Sequence, residues 1–249
     1  MNTFSSLLRS LSTLSGEFLS GVLFPVSCMG CHRPGIFLCS SCVARIPLRI
    51  DHVCPICQKH SSPHGATCFS CRADSPLDGL LLASYYSVPI VRQTIHTFKY
   101  RFVRSLSPSF GELLTRQIHQ TFLSLPDILI PVPLHSRRLR WRGYNQASLL
   151  ADHLSTSITP GFSLPISGDV LTRTRHTSSQ MSLRNTHDRH SNVAGAFCVT
   201  DPALIRGKRI FLIDDIVTTG STLLSCADVL KSAGAREVYG IAIARQEIR

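Results

Sequence analysis

"RIFLIDDIVTTGSTL", residues 209–223, carries the clearest fold signal in the chain. Four apolar residues, 210–213, run into two adjacent carboxylates, Asp214 and Asp215. Ile216 and Val217 follow, then Thr218, Thr219, Gly220, Ser221 and Thr222. A short apolar run that ends in turn residues and leads into a longer apolar period reads as a buried strand, a loop and a helix. In an open α/β sheet, ligands collect beyond the carboxyl ends of the strands. The strand should therefore deliver both acids to that edge, and the loop 216–220 should turn into a helix near Ser221. Backbone N–H groups at such a helix start, with the helix dipole behind them, cradle an anion. Gly220 permits the close turn, and the hydroxyls of Thr218, Thr219, Ser221 and Thr222 add donors. Two acids would repel a bare phosphate, so the ligand should also present hydroxyl groups or a metal. The plainer alternative is a βα turn capped by Ser221 with both acids solvated. A P-loop is excluded, because no GxxxxGK[ST] is present.

Outward from this stretch the pattern alternates. Residues 79–87 read as a strand. A helix follows Pro89 and contains His96 and Lys99, and 107–122 is a second helix. "DILIPVPL" (127–134) reads as a buried strand leaving at Pro131 and Pro133. "HSRRLRWRGYNQ" follows with no assigned element, then a helix from about Asn145 to Leu154. Residues 166–172 are a shorter strand, and 173–192 are polar and basic without an apolar period. The order closes with a strand at 209–216, a helix at 221–233 and a strand at 237–244. Strands alternating with helices imply an α/β fold: a parallel sheet with flanking helices.

Ahead of this domain lie eight cysteines in four C-x-x-C pairs: Cys28/Cys31, Cys39/Cys42, Cys54/Cys57 and Cys68/Cys71. Each pair suits one edge of a tetrahedral Zn²⁺ site, and four pairs supply two all-thiolate sites. Such sites leave no position open for water, so the zinc would be structural. A disulfide framework would need an oxidising compartment, and no export signal is evident. The pairing stays open between sequential sites and a cross-brace. Cys198 and Cys226 stand alone in apolar surroundings and read as core residues.

The chain has 249 residues and a formal charge of +11, with 26 Lys and Arg, of which only four are Lys. Arginine matches phosphate and carboxylate in a way lysine does not. Codon bias would also raise the Arg share, but it leaves the positive excess unexplained. Two zinc-loaded sites would lower the charge by four and leave the chain basic, so an anionic partner is expected. No apolar run reaches a membrane span. Residues 1–27 place Phe4, Leu7, Leu8, Leu11, Leu14, Phe18, Leu19, Val22 and Leu23 near helical spacing, interrupted by Ser, Arg and Glu. They read as an amphipathic helix packed on the protein or touching a membrane or partner. The expected organisation is this helix (1–27), a double zinc-knuckle module (28–74) and an α/β domain (75–249) in a cytoplasmic protein.

"FLIDDIVTTGST" resembles the phosphoribosyl pyrophosphate (PRPP) signature of type I phosphoribosyltransferases. The chain as a whole is similar to the ComF/GntX family of competence-associated proteins. That likeness rests on the C-x-x-C pairs, "FKY" (98–100), "PVPLHSRRLRWRGYNQ" (131–146), "LTRTRHTSSQMSLRNTHDRHSNVAGAF" (171–197) and "DDIVTTGST". The commoner form of "RGYNQ" has Phe where Tyr144 stands. The resemblance implies a type I phosphoribosyltransferase-like domain that binds PRPP with Mg²⁺. Asp214 and Asp215 would hold the ribose hydroxyls, and Val217, Thr218, Thr219, Gly220, Ser221 and Thr222 would surround the 5′-phosphate. Pro131, Val132 and Pro133, opening a loop that runs to Arg138, would lie against pyrophosphate, with Lys99 nearby. That loop would carry an unusual peptide bond. Residues 173–192 would close over the site, with Arg173, Arg175, Arg184 and Arg189 clamping pyrophosphate. Arg173, Arg175, Asp214 and Asp215 would serve catalysis at the anomeric carbon.

Thr218 departs from the purine-salvage pattern, which often carries an acid there, and no nucleobase pocket is evident. Three functions therefore stay open. The chain could transfer phosphoribosyl to an unidentified acceptor. It could bind PRPP and handle nucleic acid in DNA uptake, with Arg137, Arg138, Arg140, Trp141 and Arg142 contacting single-stranded DNA. It could be an adaptor that docks other competence proteins at the inner membrane surface. Packing beneath a loop is the alternative role for Trp141.

Overall fold

The computed structural model describes residues 26–174 and 195–246. Among the described residues, eight strands and seven α-helices follow in chain order. The helices are α1 (Ser40–Ala44), α2 (Phe69–Arg72), α3 (Pro89–Tyr100), α4 (Ser107–Thr121), α5 (Ser136–Arg142), α6 (Gln146–Ser157) and α7 (Ser221–Ser232). The strands are β1 (Gly79–Leu82), β2 (Ile128–Pro131), β3 (Leu171–Arg173), β4 (Phe197–Val199), β5 (Arg209–Ile213), β6 (Ile216–Val217), β7 (Glu237–Ala242) and β8 (Ala244–Arg245). Four strands form a fully parallel sheet in the order β1-β7-β5-β2. The expected α/β sheet with flanking helices is therefore present.

Side chains alternate across the sheet, as the two-residue period of a strand requires. Leu81, Leu129, Phe211, Ile213 and Ile241 face α3, α4 and α6 and pack on Phe98, Phe110, Leu113 and Leu150. Leu80, Ile128, Ile130, Ile210, Leu212 and Val238 face α7 and the β3–β4 hairpin and pack on Leu223, Leu230, Val170 and Phe197. Burial on both faces explains why β2 and β5 read as unbroken apolar runs.

Several boundaries differ from the sequence expectation. The strand expected at 166–172 is split: Ile166 makes one parallel bridge to Leu129, and β3 begins only at Leu171. Gly168 and Asp169 lie in the bend between them. The run 136–142, read as having no regular element, is helix α5. His135 caps it by accepting from Arg137 N at 3.2 Å, and Gly143 ends it in a left-handed conformation (φ 74). Arg and Leu are good helix formers, and a glycine just past the last turn is a common stop. Cys226 is buried as expected, but Cys198 is exposed, a correction to its core placement. On β4 the inward position belongs to Phe197, so the next residue points outward, where Thr172 Oγ1 lies 3.0 Å from the sulfur. All peptide bonds of the described residues are trans, so the unusual bond implied for the loop after β2 is not found.

The cysteine region packs continuously with the sheet domain across the change of composition near residue 74. Leu38, Val43 and Ile46 share a core cluster with α3 and α4. Arg116 Nη1 donates to Val43 O at 2.9 Å, Ser109 Oγ to Leu38 O at 3.0 Å, and Gln117 Nε2 to Arg49 O at 2.8 Å. Further on, Gly65 lies flat against the backbone of Leu80, where any Cβ would strike the carbonyl. The segment expected as an N-terminal helix lies outside the described residues, apart from Val26 and Ser27. No helix among the described residues is long and apolar enough to cross a membrane.

Candidate functional site

β5 ends at Ile213, and the chain carries Asp214 and Asp215 past the carboxyl edge of the sheet. Each carboxylate accepts a backbone N–H: Asp214 Oδ1 from Asp215 N at 2.8 Å, and Asp215 Oδ1 from Ile216 N at 2.7 Å. Lys99, from the last turn of α3, places Nζ 2.9 Å from Asp215 Oδ1. Asp215 is thus a buried, paired carboxylate, whereas Asp214 has no cation within ion-pair distance among the described residues. Burial, and next the charge of Asp215, push the Asp214 carboxyl up to about 7.

After the acids, β6 pairs with β8, and the loop rises to Gly220, which caps α7 with φ 87. Ser221 is buried and its backbone N–H reaches Thr219 Oγ1 at 3.4 Å, while the two hydroxyls hydrogen-bond each other. Thr218 and Thr222 line the cleft, whereas Val217 turns into the core beside Leu223.

The cleft holds about 190 Å³. Asp214, Asp215, Thr218 and Thr222 line it, and Lys99, Arg138, Arg142 and Arg173 form its cationic wall. Burial, and next the charge of Arg142, depress Arg138. Burial, and next the charge of Arg138, depress Arg173. These guanidiniums crowd one another in a partly dry site, a configuration that a polyanion would relieve. Arg142 Nε is buried without a hydrogen-bond partner among the described residues. Val132 and Pro133 line the cleft, while Pro131 stays in β2. Arg175, Arg184 and Arg189 lie outside the described residues.

The "RGYNQ" block assembles this wall. Arg142 reaches Gln146 Oε1 at 3.1 Å, and Gly143 makes the turn. Tyr144 OH donates to Phe98 O at 2.8 Å, tying the block to the helix that carries Lys99. Asn145 caps α6 through Ala147 N at 3.1 Å and donates to Val132 O at 3.0 Å, fixing the loop after β2. Sequence reasoning missed Tyr86, His96, Tyr100, Asn145 and Gln146, which also line the cleft. The α3 residues could have been found: His96, Lys99 and Tyr100 are spaced three and four apart and share one helical face.

Helix α5 presents two faces. Arg138 and Arg142, four apart, point into the cleft, while Arg137, Arg140 and Trp141 are exposed. Trp141 is 64% exposed and therefore not packed beneath a loop. Its ring meets Phe102 edge-on at 5.0 Å, and Phe102 itself has a left-handed φ of 56.

The cysteines form two groups, Cys28, Cys31, Cys39 and Cys42 in one and Cys54, Cys57, Cys68 and Cys71 in the other, each with all sulfurs within 4.8 Å. The pairing is therefore sequential, not interleaved. A zinc tetrahedron with Zn–S of about 2.3 Å has S···S edges of about 3.8 Å. Cys28–Cys39, Cys31–Cys39 and Cys57–Cys68 stand at 3.7, 3.6 and 3.9 Å. The donor set and its spacing fit zinc in both groups. Backbone N–H groups of Lys59 and His60 pull the Cys57 thiol down to about 6, while Cys68, and next burial, push Cys71 up to about 12. Crowded sulfurs that divide protons so unevenly are relieved by a divalent cation.

The family model described as a phosphoribosyl transferase domain matches residues 142–247. Competence protein F of Haemophilus influenzae is 30% identical over 216 residues, covering 84% of this chain and 90% of its own length. The chain belongs to the ComF family of competence proteins. Other ComF-family relatives are the DNA utilization protein YhgH of Salmonella typhimurium and the competence protein ComFC of Bacillus subtilis. YhgH is 30% identical over 206 residues, covering 81% of this chain and 87% of the relative. ComFC is 27% identical over 208 residues, covering 81% of each.

Proposed function

We propose that this ComF-family protein binds PRPP, carried with Mg²⁺, in the cleft at the carboxyl edge of β5, and that it serves DNA utilisation by holding single-stranded DNA on the outer face of α5. The observation that carries the first part is the pairing of opposite demands in one cleft. An acidic pair suited to ribose hydroxyls and a hydroxyl-rich helix start face three guanidiniums suited to pyrophosphate. A ligand with a diol, a monophosphate and a diphosphate answers all three. Asp214 and Asp215 take the ribose hydroxyls, Thr218 to Thr222 the 5′-phosphate, and Arg138, Arg142 and Arg173 the pyrophosphate, with Val132 and Pro133 beneath it. Lys99 neutralises Asp215 before the ligand arrives. Mg²⁺ would travel with the pyrophosphate and offset its charge.

The second part rests on Trp141, Arg137 and Arg140 projecting from the same short helix, with Phe102 against the indole. Exposed aromatic rings among arginines suit stacked bases and phosphates. Competence and DNA-utilisation relatives favour this partner over other polyanions.

Isothermal titration of Mg-PRPP into zinc-loaded protein tests the first part. Saturable binding is expected, abolished in the Asp214→Ala/Asp215→Ala form. A folded wild type that gives no heat overturns the assignment. Consumption of PRPP that depends on an added acceptor would instead establish the transferase alternative.

A further inference from the structure

Arg245 has no role in the cleft, yet its surroundings are unusual. It closes β8 and is half-buried. Its Nη2 sits 3.4 Å from Pro55 O, inside the Cys54-Pro55-Ile56-Cys57 knuckle. The same nitrogen lies 3.7 Å from where a Cβ on Gly220 would stand, at the turn of the phosphate loop. One guanidinium therefore bonds the second cysteine centre and stands close to the turn of the loop.

Its charge balance points the same way. No carboxylate lies within ion-pair distance of Arg245 among the described residues, and Nε is buried without a hydrogen bond. Burial, and next the charge of Arg49, act against the guanidinium, and Cys54 is the group that acts in its favour. Four thiolates around one Zn²⁺ carry two net negative charges. Loaded with zinc, the knuckle places a net negative charge beside the guanidinium.

The backbone adds rigidity to this route. β6 and β8 pair as Ile216–Ala244 and Val217–Arg245, and Gln246 N donates to Val217 O at 2.8 Å. A shift of Arg245 thus moves the strand that leads directly into Thr218–Thr222.

We propose that Arg245 is a positioning residue that couples the second zinc centre to the phosphate loop, so that zinc in the Cys54/Cys57/Cys68/Cys71 site sets the affinity of the loop for its sugar phosphate. This rests on the PRPP assignment for its ligand arm alone. By reciprocity, PRPP should also tighten the binding of that zinc.

The test uses full-length, zinc-loaded protein and Arg245→Met, with Arg245→Lys as the conservative variant. Zinc release to a chromogenic chelator is followed for both sites, and Mg-PRPP is titrated. In Arg245→Met, one of the two release phases should quicken about tenfold while the other is unchanged, in line with outer-shell partners of metal ligands. PRPP affinity should fall by a similar factor, with partial rescue by Arg245→Lys. Cys57→Ser should weaken PRPP binding in the wild type and add little in Arg245→Met, since both act on one route. Unchanged zinc release in Arg245→Met overturns the proposal, as does full additivity of the two substitutions. A wild type that binds no PRPP defeats the ligand assignment instead, and the zinc-release arm still decides whether Arg245 holds the metal centre.

Discussion

Asp214 illustrates how the site sets affinity against stability. Its carboxyl is raised to about 7, so the folded chain keeps a proton that the unfolded chain has released above about pH 4. Stability contributed at this position therefore declines between about pH 4 and pH 7 and is flat above. Asp214→Asn should raise the melting temperature at pH 8 and leave it nearly unchanged at pH 4, as scanning calorimetry would reveal. The ligand runs the other way. Ribose hydroxyls donate to an ionised carboxylate, so PRPP affinity should rise about tenfold from pH 6 to pH 8 as Asp214 loses its proton. A flat titration profile would remove Asp214 from the binding set. At this scale the sequence was legible where residue type and chemistry coincide: adjacent acids after an apolar run, glycine before a helix. It was opaque where orientation decides. Cys198 and Cys226 look alike in sequence, but strand alternation turns one outward while helix α7 buries the other.

Among the elements, α5 was the least legible and carries the most varied surface. Seven residues give too short a period to recognise, and its polar composition resembles a loop. The signals that define it are local: a His135 cap and a left-handed Gly143. Gly143→Ala should cost roughly 1–2 kcal/mol in denaturant unfolding, because the left-handed conformation disfavours a Cβ. It should also weaken PRPP binding by displacing Arg142. On the outer face, Trp141→Ala should lower single-stranded DNA affinity by roughly 1–3 kcal/mol per stacked base while sparing PRPP binding. Arg140→Ala should reduce the salt dependence of log K by about one. Fluorescence anisotropy with labelled oligonucleotides at several salt concentrations separates the two effects. The longer elements, α3, α4, β2 and β5, were readable because burial on one or two faces imposes a period on many residues at once.

At the scale of the whole molecule, the cysteine region is part of the core. Cys28, Cys39 and Cys42 sit in one cluster with Phe98, Phe110 and Leu113. Zinc removal should therefore lower the melting temperature of the entire chain by about 10 °C or more, since each kcal/mol corresponds to only a few degrees at this size. Separate melting of the cysteine region, with the sheet domain untouched, would contradict the shared core. The four C-x-x-C pairs were plain in the sequence, but their seating on α4 was not, because it depends on donors such as Arg116 and Ser109 that carry no motif. The strand order β1-β7-β5-β2 has one more consequence, for synthesis. The ribosome delivers the two outer strands first and the two central ones last. Until residues 209–242 emerge, β1 and β2 have no neighbour to pair with, and the apolar faces of α3, α4 and α6 lack the sheet they cover. The cysteine segment is made early and already packs on α4, so it can shelter part of that surface while the centre of the sheet is still being translated. A nascent chain stalled before β5 should then depend on zinc to escape proteolysis more acutely than the finished protein does.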